Sequence, residues 1–227
     1  MSVFVVANKF SSAKTLTSYY LAKYQFSLGK KVLLINFDDT CIFKRLFKTW
    51  KKFYLSYSQN KSNIIANIMK GSSFDLINIF SNIEYHNFSQ SEIYEKIANI
   101  VKILNDVYEI IIVDTTSTSS LVNDYFINND FNILVPILLD DSNQIEYYSS
   151  FLQTPNINKH NINYFVVSFD KNNNNHIFNL IKLRKYLTNF LLNNFVSFFS
   201  SSDETLIFNK KEVENEYKNV FKELKIV

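Results

Sequence analysis

Short apolar runs recur along the chain, and polar or charged residues bound each of them. Runs of about four to eight β-branched, aromatic and other apolar residues are typical of strands that are buried on both faces of a sheet. The pattern therefore predicts six strands, at residues 2–7, 31–38, 108–115, 131–138, 163–169 and 194–199.

Between these runs, apolar residues recur every three or four positions, which is the spacing of an amphipathic helix. Gly29 supplies a C-terminal stop for the first such stretch. The predicted helices are residues 16–27, 43–54, 63–69, 73–80, 91–104, 142–152, 178–192 and 211–224. Strands and helices that alternate in this way predict an α/β fold of three layers, with a mostly parallel central sheet and helices on both faces.

The composition fits one domain that spans residues 1–227. The chain is 47% hydrophobic and 16% aromatic, which is enough for a large core, and its net charge of +3 implies no strongly basic tail. A single cysteine, Cys41, excludes an internal disulfide framework and fits a reducing compartment. No apolar stretch approaches the roughly 18 residues that a membrane span needs. We therefore expect a cytoplasmic protein without an integral membrane segment.

The first forty residues form the unit around which the chain is organised. Strand 2–7, helix 16–27 and strand 31–38 predict a right-handed βαβ unit, whose helix N-terminus is a ready anion site. The loop before this helix ends in Lys14-Thr15. A lysine at this turn reaches nucleotide phosphates, and the hydroxyl that follows it is a ligand for Mg²⁺.

Residues 9–16 resemble the deviant Walker A loop of the ParA/MinD family, Lys-Gly-Gly-Val-Gly-Lys-Thr-Thr. Lys9, Lys14 and Thr15 match this motif, and Lys9 stands at the position of the family's signature lysine. The other positions depart from it: Phe10, Ser11 and Ala13 replace glycines, Ser12 replaces valine, and Leu16 replaces the second threonine. A phosphate-binding loop favours glycine because the backbone must approach the phosphates closely, so the loop is degenerate.

Two further strands resemble the same family, in the same order and spacing. Residues 32–38 are similar to its acidic strand Val-Leu-Leu-Ile-Asp-x-Asp, in which Asn36 replaces the first aspartate and Asp38 matches the second. Residues 108–115 are similar to its Walker B strand, which ends here in Asp114. A carboxylate there that only caps the following helix is the simpler alternative.

The resemblance implies a P-loop NTPase fold that binds ATP and Mg²⁺, and ATPase activity if the degenerate loop functions. It implies nucleotide binding by residues Phe10, Ser11, Ser12, Ala13, Lys14, Thr15, Leu16 and Asp114. It also implies Mg²⁺ binding, partly through water, by Thr15, Asp38 and Asp114. The catalytic positions are Lys9, which would reach the phosphates of a second protomer, and Asn36 and Asp38. An amide cannot take a proton as a carboxylate does, so Asn36 predicts slow hydrolysis.

The function implied by the resemblance is a nucleotide-dependent dimerising switch for plasmid or chromosome partition, or for cargo positioning. Its expected partners are a second copy of the chain, nonspecific DNA and an adaptor or centromere-binding protein. The lost glycines, Asn36 and the bulky ring of Phe10 at the dimer interface favour an alternative, a pseudo-ATPase that serves as a protein-binding scaffold. A third interpretation is a tyrosine-kinase-like regulator of polysaccharide export.

Basic residues suggest where an acidic partner binds. The candidates for DNA binding near the C-terminus are Lys182, Arg184, Lys185, Lys210 and Lys211. The basic and aromatic run of residues 43–54 is a second candidate, for DNA or for an acidic membrane surface. For both sets, a solvated helix face is the simpler interpretation. The terminal helix is expected to cover the sheet rather than to detach as a membrane helix.

Overall fold

Seven strands and seven helices occur in the part of the chain that the structure describes. The structure is a computed structural model, and it describes residues 2–7, 13–37, 43–44, 46–55, 58–80, 88–115, 120–140, 142–151, 162–186, 196 and 210–226. The strands are β1 (Ser2–Val6), β2 (Val32–Asn36), β3 (Phe53–Tyr54), β4 (Asp75–Phe80), β5 (Ile110–Asp114), β6 (Asn132–Leu138) and β7 (Ile162–Val167). The helices are α1 (Lys14–Ser27), α2 (Lys61–Ala66), α3 (Gln90–Asn105), α4 (Ser120–Asn128), α5 (Ser142–Phe151), α6 (Asn174–Tyr186) and α7 (Lys211–Glu223).

The strands form one parallel sheet in the order β3-β4-β2-β5-β1-β6-β7. Strands β2 and β5 are buried along their whole length, as their uncharged apolar sequences predict. Parallel strands need crossover connections, and helix α1 makes the crossover from β1 to β2. The predicted α/β fold with a mostly parallel sheet is confirmed.

Helices cover both faces of this sheet, so the predicted three layers are confirmed. One face packs against α2 to α6 through residues such as Ile64, Ile97 and Leu183. The other face packs against α1 and α7 through residues such as Tyr20 and Phe221. Successive strand residues alternate between these two cores, as in β2, where Leu33 belongs to the first and Leu34 to the second.

The predicted helix at residues 43–54 is wrong. Phe43 and Lys44 lie in a single short helical turn, and the segment ends in the edge strand β3. Phe43 and Phe47 pack in the core under α1, whereas Phe53 packs in the core on the opposite face of the sheet. One face of a helix cannot serve two opposite cores, so the aromatic periodicity was misleading.

The predicted short helix at residues 73–80 is also wrong, because residues 75–80 form strand β4 beside β2. Leu76 packs in the core under α1, and Ile77 and Ile79 pack on the opposite face, which is the two-sided burial of an inner strand. The helix predicted before it, at residues 63–69, is present as α2 but ends at Ala66.

The remaining predicted elements agree with the structure where it describes them. Helix α3 begins at a capping box formed by Ser89 and Glu92. The last part of the helix predicted at residues 178–192 lies outside the described residues, and α6 begins earlier, at Asn174. Of the strand predicted at residues 194–199, only Val196 is described, and its backbone exchanges hydrogen bonds with Val166 and Phe169. No described helix is long and apolar enough to cross a membrane.

The two glycines of the chain are required for different reasons: Gly29 for its backbone conformation, and Gly71 for the lack of space around it. Gly29 has a φ of +81° and ends α1 in a Schellman motif, in which its N–H donates to Phe26 and the N–H of Lys30 donates to Gln25. Gly71 lies against other atoms: a Cβ there would be 2.2 Å from the carbonyl oxygen of Phe74 and 3.0 Å from the ring of Phe47.

We expect the substitution Gly71→Ala to lower the free energy of unfolding by about 1–3 kcal/mol, because the backbone at Phe74 must shift to admit the methyl group. Chemical denaturation of the purified variant measures this loss. The neighbouring exposed residue gives the control, since Ser72→Ala is expected to change stability by less than about 0.5 kcal/mol. Equal stability of the two variants would show that the close approach at Gly71 is absent.

Candidate nucleotide-binding site

The three central strands end together at the carboxyl edge of the sheet. Val6 of β1 and Asn36 of β2 flank Asp114 of β5 in register. The backbone continues this pairing beyond the strands, since the N–H of Phe37 donates to the carbonyl of Asp114. Asp114 is completely buried, at 0% exposure. Its carboxylate therefore lies at the edge where parallel α/β sheets bind their ligands.

Helix α1 begins at this same edge. After α1 the chain enters β2 at the opposite edge, where the N–H of Lys31 donates to the Glu109 carboxylate just before β5. Lys14 is the first residue of the helix and is 4% exposed, and Thr15 after it is half-buried. A helix N-terminus has free backbone N–H groups and the positive end of the helix dipole, and a buried ammonium group adds to its attraction for anions.

The backbone at Ala13 has a left-handed conformation, which glycine adopts more readily than other residues. Ala13 is the N-cap of α1 with φ 44° and ψ 17°, which is the left-handed region, and its carbonyl accepts the first helical bond from Thr17. For a residue with a Cβ, this conformation is less favourable than the right-handed helical one by about 1–2 kcal/mol of free energy. Ala13 therefore holds this turn with local strain.

Three polar side chains form a row beneath this helix. Asn36 lies between Asp114 on β5 and Asn78 on β4, and all three are on the sheet face that α1 covers. The Asn36 side chain donates to the Asn78 side-chain oxygen over 2.7 Å. Asn78 is 1% exposed, and its own amide nitrogen has no hydrogen-bond partner among the described residues. The sequence analysis missed Asn78 because it placed residues 73–80 in a helix.

A buried histidine joins the next two loops at the same edge of the sheet. His176, in the first turn of α6, is 1% exposed, and its Nδ1 accepts a hydrogen bond from the Asp170 N–H after β7. Its Nε2 lies 2.5 Å from Oδ1 of Asp140, which follows β6. This acceptor role of Nδ1 assigns the proton to Nε2. His176 therefore ties the β6 loop to the β7 loop, a role that its polar sequence neighbours did not indicate.

Several predicted site residues lie outside the described part of the chain: Lys9, Phe10, Ser11, Ser12 and Asp38. Of the predicted nucleotide-binding residues, the structure brings Ala13, Lys14 and Thr15 to the edge that holds Asp114, while Leu16 packs into the core under α1. The predicted DNA-binding residues divide between two helices. Lys182, Arg184 and Lys185 are on α6, whereas Lys210 and Lys211 begin α7, which covers the opposite face of the sheet.

The parallel sheet, the helix that begins with a buried lysine and the carboxylate at the end of β5 define the class: the chain has the P-loop NTPase fold of the ParA/MinD type. Among solved structures it is similar to a plasmid partition protein from Borrelia burgdorferi B31 bound to AMPPNP, at 21% identity and a TM-score of 0.62, over 100% of this chain and 99% of that one. No protein-family model matches the sequence, and no curated protein matches it significantly.

Two other solved structures support the same fold. MinD from Aquifex aeolicus is 13% identical with a TM-score of 0.68, and the alignment covers 98% of each chain. The ParA family ATPase from Chlorobium tepidum TLS is 15% identical with a TM-score of 0.61, over 97% of this chain and 90% of that one. The similarity therefore extends over nearly the whole length of all three solved structures, and it establishes the architecture around the site.

The described residues fit a magnesium nucleotide. A buried ammonium, a hydroxyl and a buried carboxylate come from α1 and β5, which are the group types that phosphates and Mg²⁺ require. The left-handed turn at Ala13 also fits a loop that wraps around an anion. The neutral pair of Asn36 and Asn78 leaves this part of the site with fewer carboxylates than the ParA/MinD pattern has.

Proposed function

We propose that the protein is a nucleotide-dependent dimerising switch of the ParA type, which acts in the cytoplasm in DNA partition or cargo positioning. The observation that carries this proposal is the placement of Lys14: it is buried at the first position of α1, at the sheet edge where Asp114 ends β5. The similarity to plasmid partition proteins and to MinD supports the choice of this class.

In this proposal, Lys14 binds the phosphates, and Thr15 and Asp114 hold the magnesium ion directly or through water. The nucleotide supplies the negative charge that these groups attract and the bond that hydrolysis breaks. Asp38 is the acidic residue nearest to the attacking water, and Lys9 reaches the phosphates of the partner subunit. An adaptor protein recognises the nucleotide-bound dimer.

Sedimentation velocity tests the dimerising switch. We expect a monomer without nucleotide and a dimer with AMPPNP and Mg²⁺, because each signature lysine gains a phosphate contact only in the dimer. Phe10→Gly is the informative variant, since removal of the ring relieves crowding where two protomers meet. A chain that binds nucleotide but stays monomeric, both as wild type and as Phe10→Gly, would contradict the dimerising switch.

Hydrolysis in this switch is slow because position 36 carries an amide. We expect Asn36→Asp to raise the steady-state ATPase rate by on the order of tenfold or more, since a carboxylate orders the metal and accepts protons as an amide cannot. Asn78 can support the new carboxylate after its amide rotates by half a turn, because the oxygen that accepts from Asn36 is then replaced by the buried amide nitrogen, which has no partner among the described residues.

Phosphate release at saturating ATP measures this rate. Asn78→Asp is the matched control, because it adds the same charge one strand farther from β5, and we expect no gain in rate from it. An Asn36→Asp variant that binds ATP but hydrolyses it no faster than the wild type would place the cause of slow turnover elsewhere.

A protein-binding scaffold is the second candidate function. It is favoured by the hydrogen bond between Asn36 and Asn78, which gives the row beside Asp114 a neutral, hydrogen-bonded pair that needs no metal. Thermal unfolding with and without magnesium ATP separates the two candidates. The switch predicts a higher melting temperature with nucleotide, and the scaffold predicts no change.

A further inference from the structure

Asn78 is an amide at a position where an aliphatic side chain would be expected. It lies in β4 between Ile77 and Ile79, which pack in the core on one face of the sheet, and its own side chain is on the face that α1 covers. Asn78 is 1% exposed. Burial of an amide is unfavourable unless its hydrogen bonds are made, so stability of the core does not explain an amide here.

The hydrogen bond between the two asparagines satisfies Asn36 better than it satisfies Asn78. The two residues are in register on neighbouring parallel strands, and Nδ2 of Asn36 donates to Oδ1 of Asn78 over 2.7 Å. The amide nitrogen of Asn78 has no hydrogen-bond partner among the described residues. In this pair, Asn78 therefore acts as an acceptor for Asn36.

This hydrogen bond fixes which way the Asn36 amide is turned. A side-chain amide is planar, with a donor nitrogen on one side and an acceptor oxygen on the other. Because the nitrogen of Asn36 faces β4, its oxygen faces away from β4. The neighbouring strand on that other side is β5, where Asp114 is in register with Asn36. Asn36 therefore presents its acceptor, and not its donor, on the side of Asp114.

An acceptor beside Asp114 suits a magnesium nucleotide. Mg²⁺ usually keeps several waters when it binds with substrate phosphates. Each water binds the metal through its oxygen, so its hydrogens point outward and the surrounding protein groups must accept hydrogen bonds. A donor nitrogen in the same place would oppose such a water. On the other side of Asp114, the residue in register is Val6, which is apolar and can do neither.

We propose that Asn78 is a positioning residue, which holds the Asn36 amide so that its oxygen accepts a hydrogen bond from water of the magnesium ion that the nucleotide brings. This role rests on the proposed function, because it needs a magnesium nucleotide beside Asp114. A neutral amide oxygen is a weaker acceptor than a carboxylate. The arrangement therefore supports binding of the metal while hydrolysis stays slow.

A purely structural pair of amides is the simpler alternative. In that case, replacement of Asn78 would change the stability of the protein but not the contribution of magnesium to nucleotide binding. The buried nitrogen of Asn78 speaks against this alternative, because a donor without a partner is destabilising in a core. The two interpretations differ in what they predict for the metal, so a binding measurement separates them.

Titration calorimetry with AMPPNP, once with Mg²⁺ and once with EDTA, gives the factor by which magnesium raises nucleotide affinity. Asn78→Leu keeps the shape of the side chain and removes the acceptor. We expect it to reduce this magnesium factor on the order of tenfold, as loss of a group that orients a metal ligand does. The matched control is Asn99→Leu, which removes an exposed amide from α3 and should keep the wild-type factor.

A double-mutant cycle tests whether Asn78 acts through Asn36. Asn36→Leu should lower the magnesium factor as Asn78→Leu does, and the double variant should show no further loss. The double variant also controls for folding, because replacement of both amides leaves no polar group unsatisfied. Its melting temperature without nucleotide should therefore not fall below that of the wild type.

Three results would overturn the role of Asn78. They are an unchanged magnesium factor in Asn78→Leu, an equal loss of affinity with Mg²⁺ and with EDTA, and a further loss in the double variant. A wild type that binds AMPPNP equally well with and without Mg²⁺ would also overturn this role, but it would leave nucleotide binding in place. A wild type that binds no AMPPNP would instead overturn the proposed function and, with it, the basis of this role.

Discussion

Replacement of Tyr217 by alanine is expected to lower the free energy of unfolding by about 3–5 kcal/mol, as for other large aromatic residues in a core. Tyr217 of α7 is completely buried, and its ring stacks on Tyr20 of α1 with 4.9 Å between centroids. The same ring meets Phe165 of β7 edge-on at 6.4 Å. The residue therefore joins the terminal helix both to the first helix and to the sheet, and its loss leaves a cavity at all three elements.

The hydroxyl group of Tyr217 contributes separately. It lies 3.1 Å from the hydroxyl oxygen of Thr17, also on α1. Burial raises the pKa of the Tyr217 phenol, so the group stays protonated and keeps this hydrogen bond at neutral pH. Tyr217→Phe keeps the ring and is expected to cost only about 1 kcal/mol. Urea denaturation of both variants measures the difference, and equal, small losses would contradict the packing of α7 on α1.

The packing of α7 on α1 shows the structural role of the terminal helix. The apolar residues of α7 form part of the core with α1, which begins with Lys14. Lys23 and Gln25 of α1 add a salt bridge to Glu214 and a hydrogen bond to the carbonyl of Ile226. A helix with these contacts covers the sheet, as the sequence analysis expected. Its release would expose the core beside the candidate site.

The parts of the fold that the sequence predicted are those with strong local signals. β2 and β5 are uninterrupted apolar runs, and α1 is bounded by Lys14-Thr15 on one side and Gly29 on the other. The order of these elements, with their motif residues, was sufficient for the P-loop fold and for the placement of Lys14 and Asp114 at one edge of the sheet. The left-handed backbone at Ala13 agrees with the sequence comparison as well, because the motif that the loop resembles has a glycine at this position.

The parts that the sequence did not predict depend on contacts between distant segments. β4 has a helix-like mixture of apolar and polar residues and becomes a strand because β2 offers it a partner. The hydrogen bond of Asn36 with Asn78 spans 42 residues, and that of His176 with Asp140 spans 36. No local pattern encodes such pairs. The sequence did identify the basic and aromatic run of residues 43–54, but the burial of its rings in two opposite cores became evident only with the fold.

Loss of the Lys14 ammonium group is expected to have the largest effect on function. A buried cation that contacts phosphate contributes about 3 kcal/mol to binding, so Lys14→Ala should weaken nucleotide affinity on the order of 100-fold. Lys23→Ala is the matched control, because it removes the same group from the other end of α1, where Lys23 pairs with Glu214. It should keep wild-type affinity.

The measurement that tests the account most directly is isothermal titration of the purified wild type, Lys14→Ala and Lys23→Ala with AMPPNP in the presence of Mg²⁺. The account predicts binding by the wild type and by Lys23→Ala, and near-complete loss of binding in folded Lys14→Ala. Wild-type affinity in Lys14→Ala, or no binding by the wild type at millimolar nucleotide, would contradict a nucleotide site between α1 and β5.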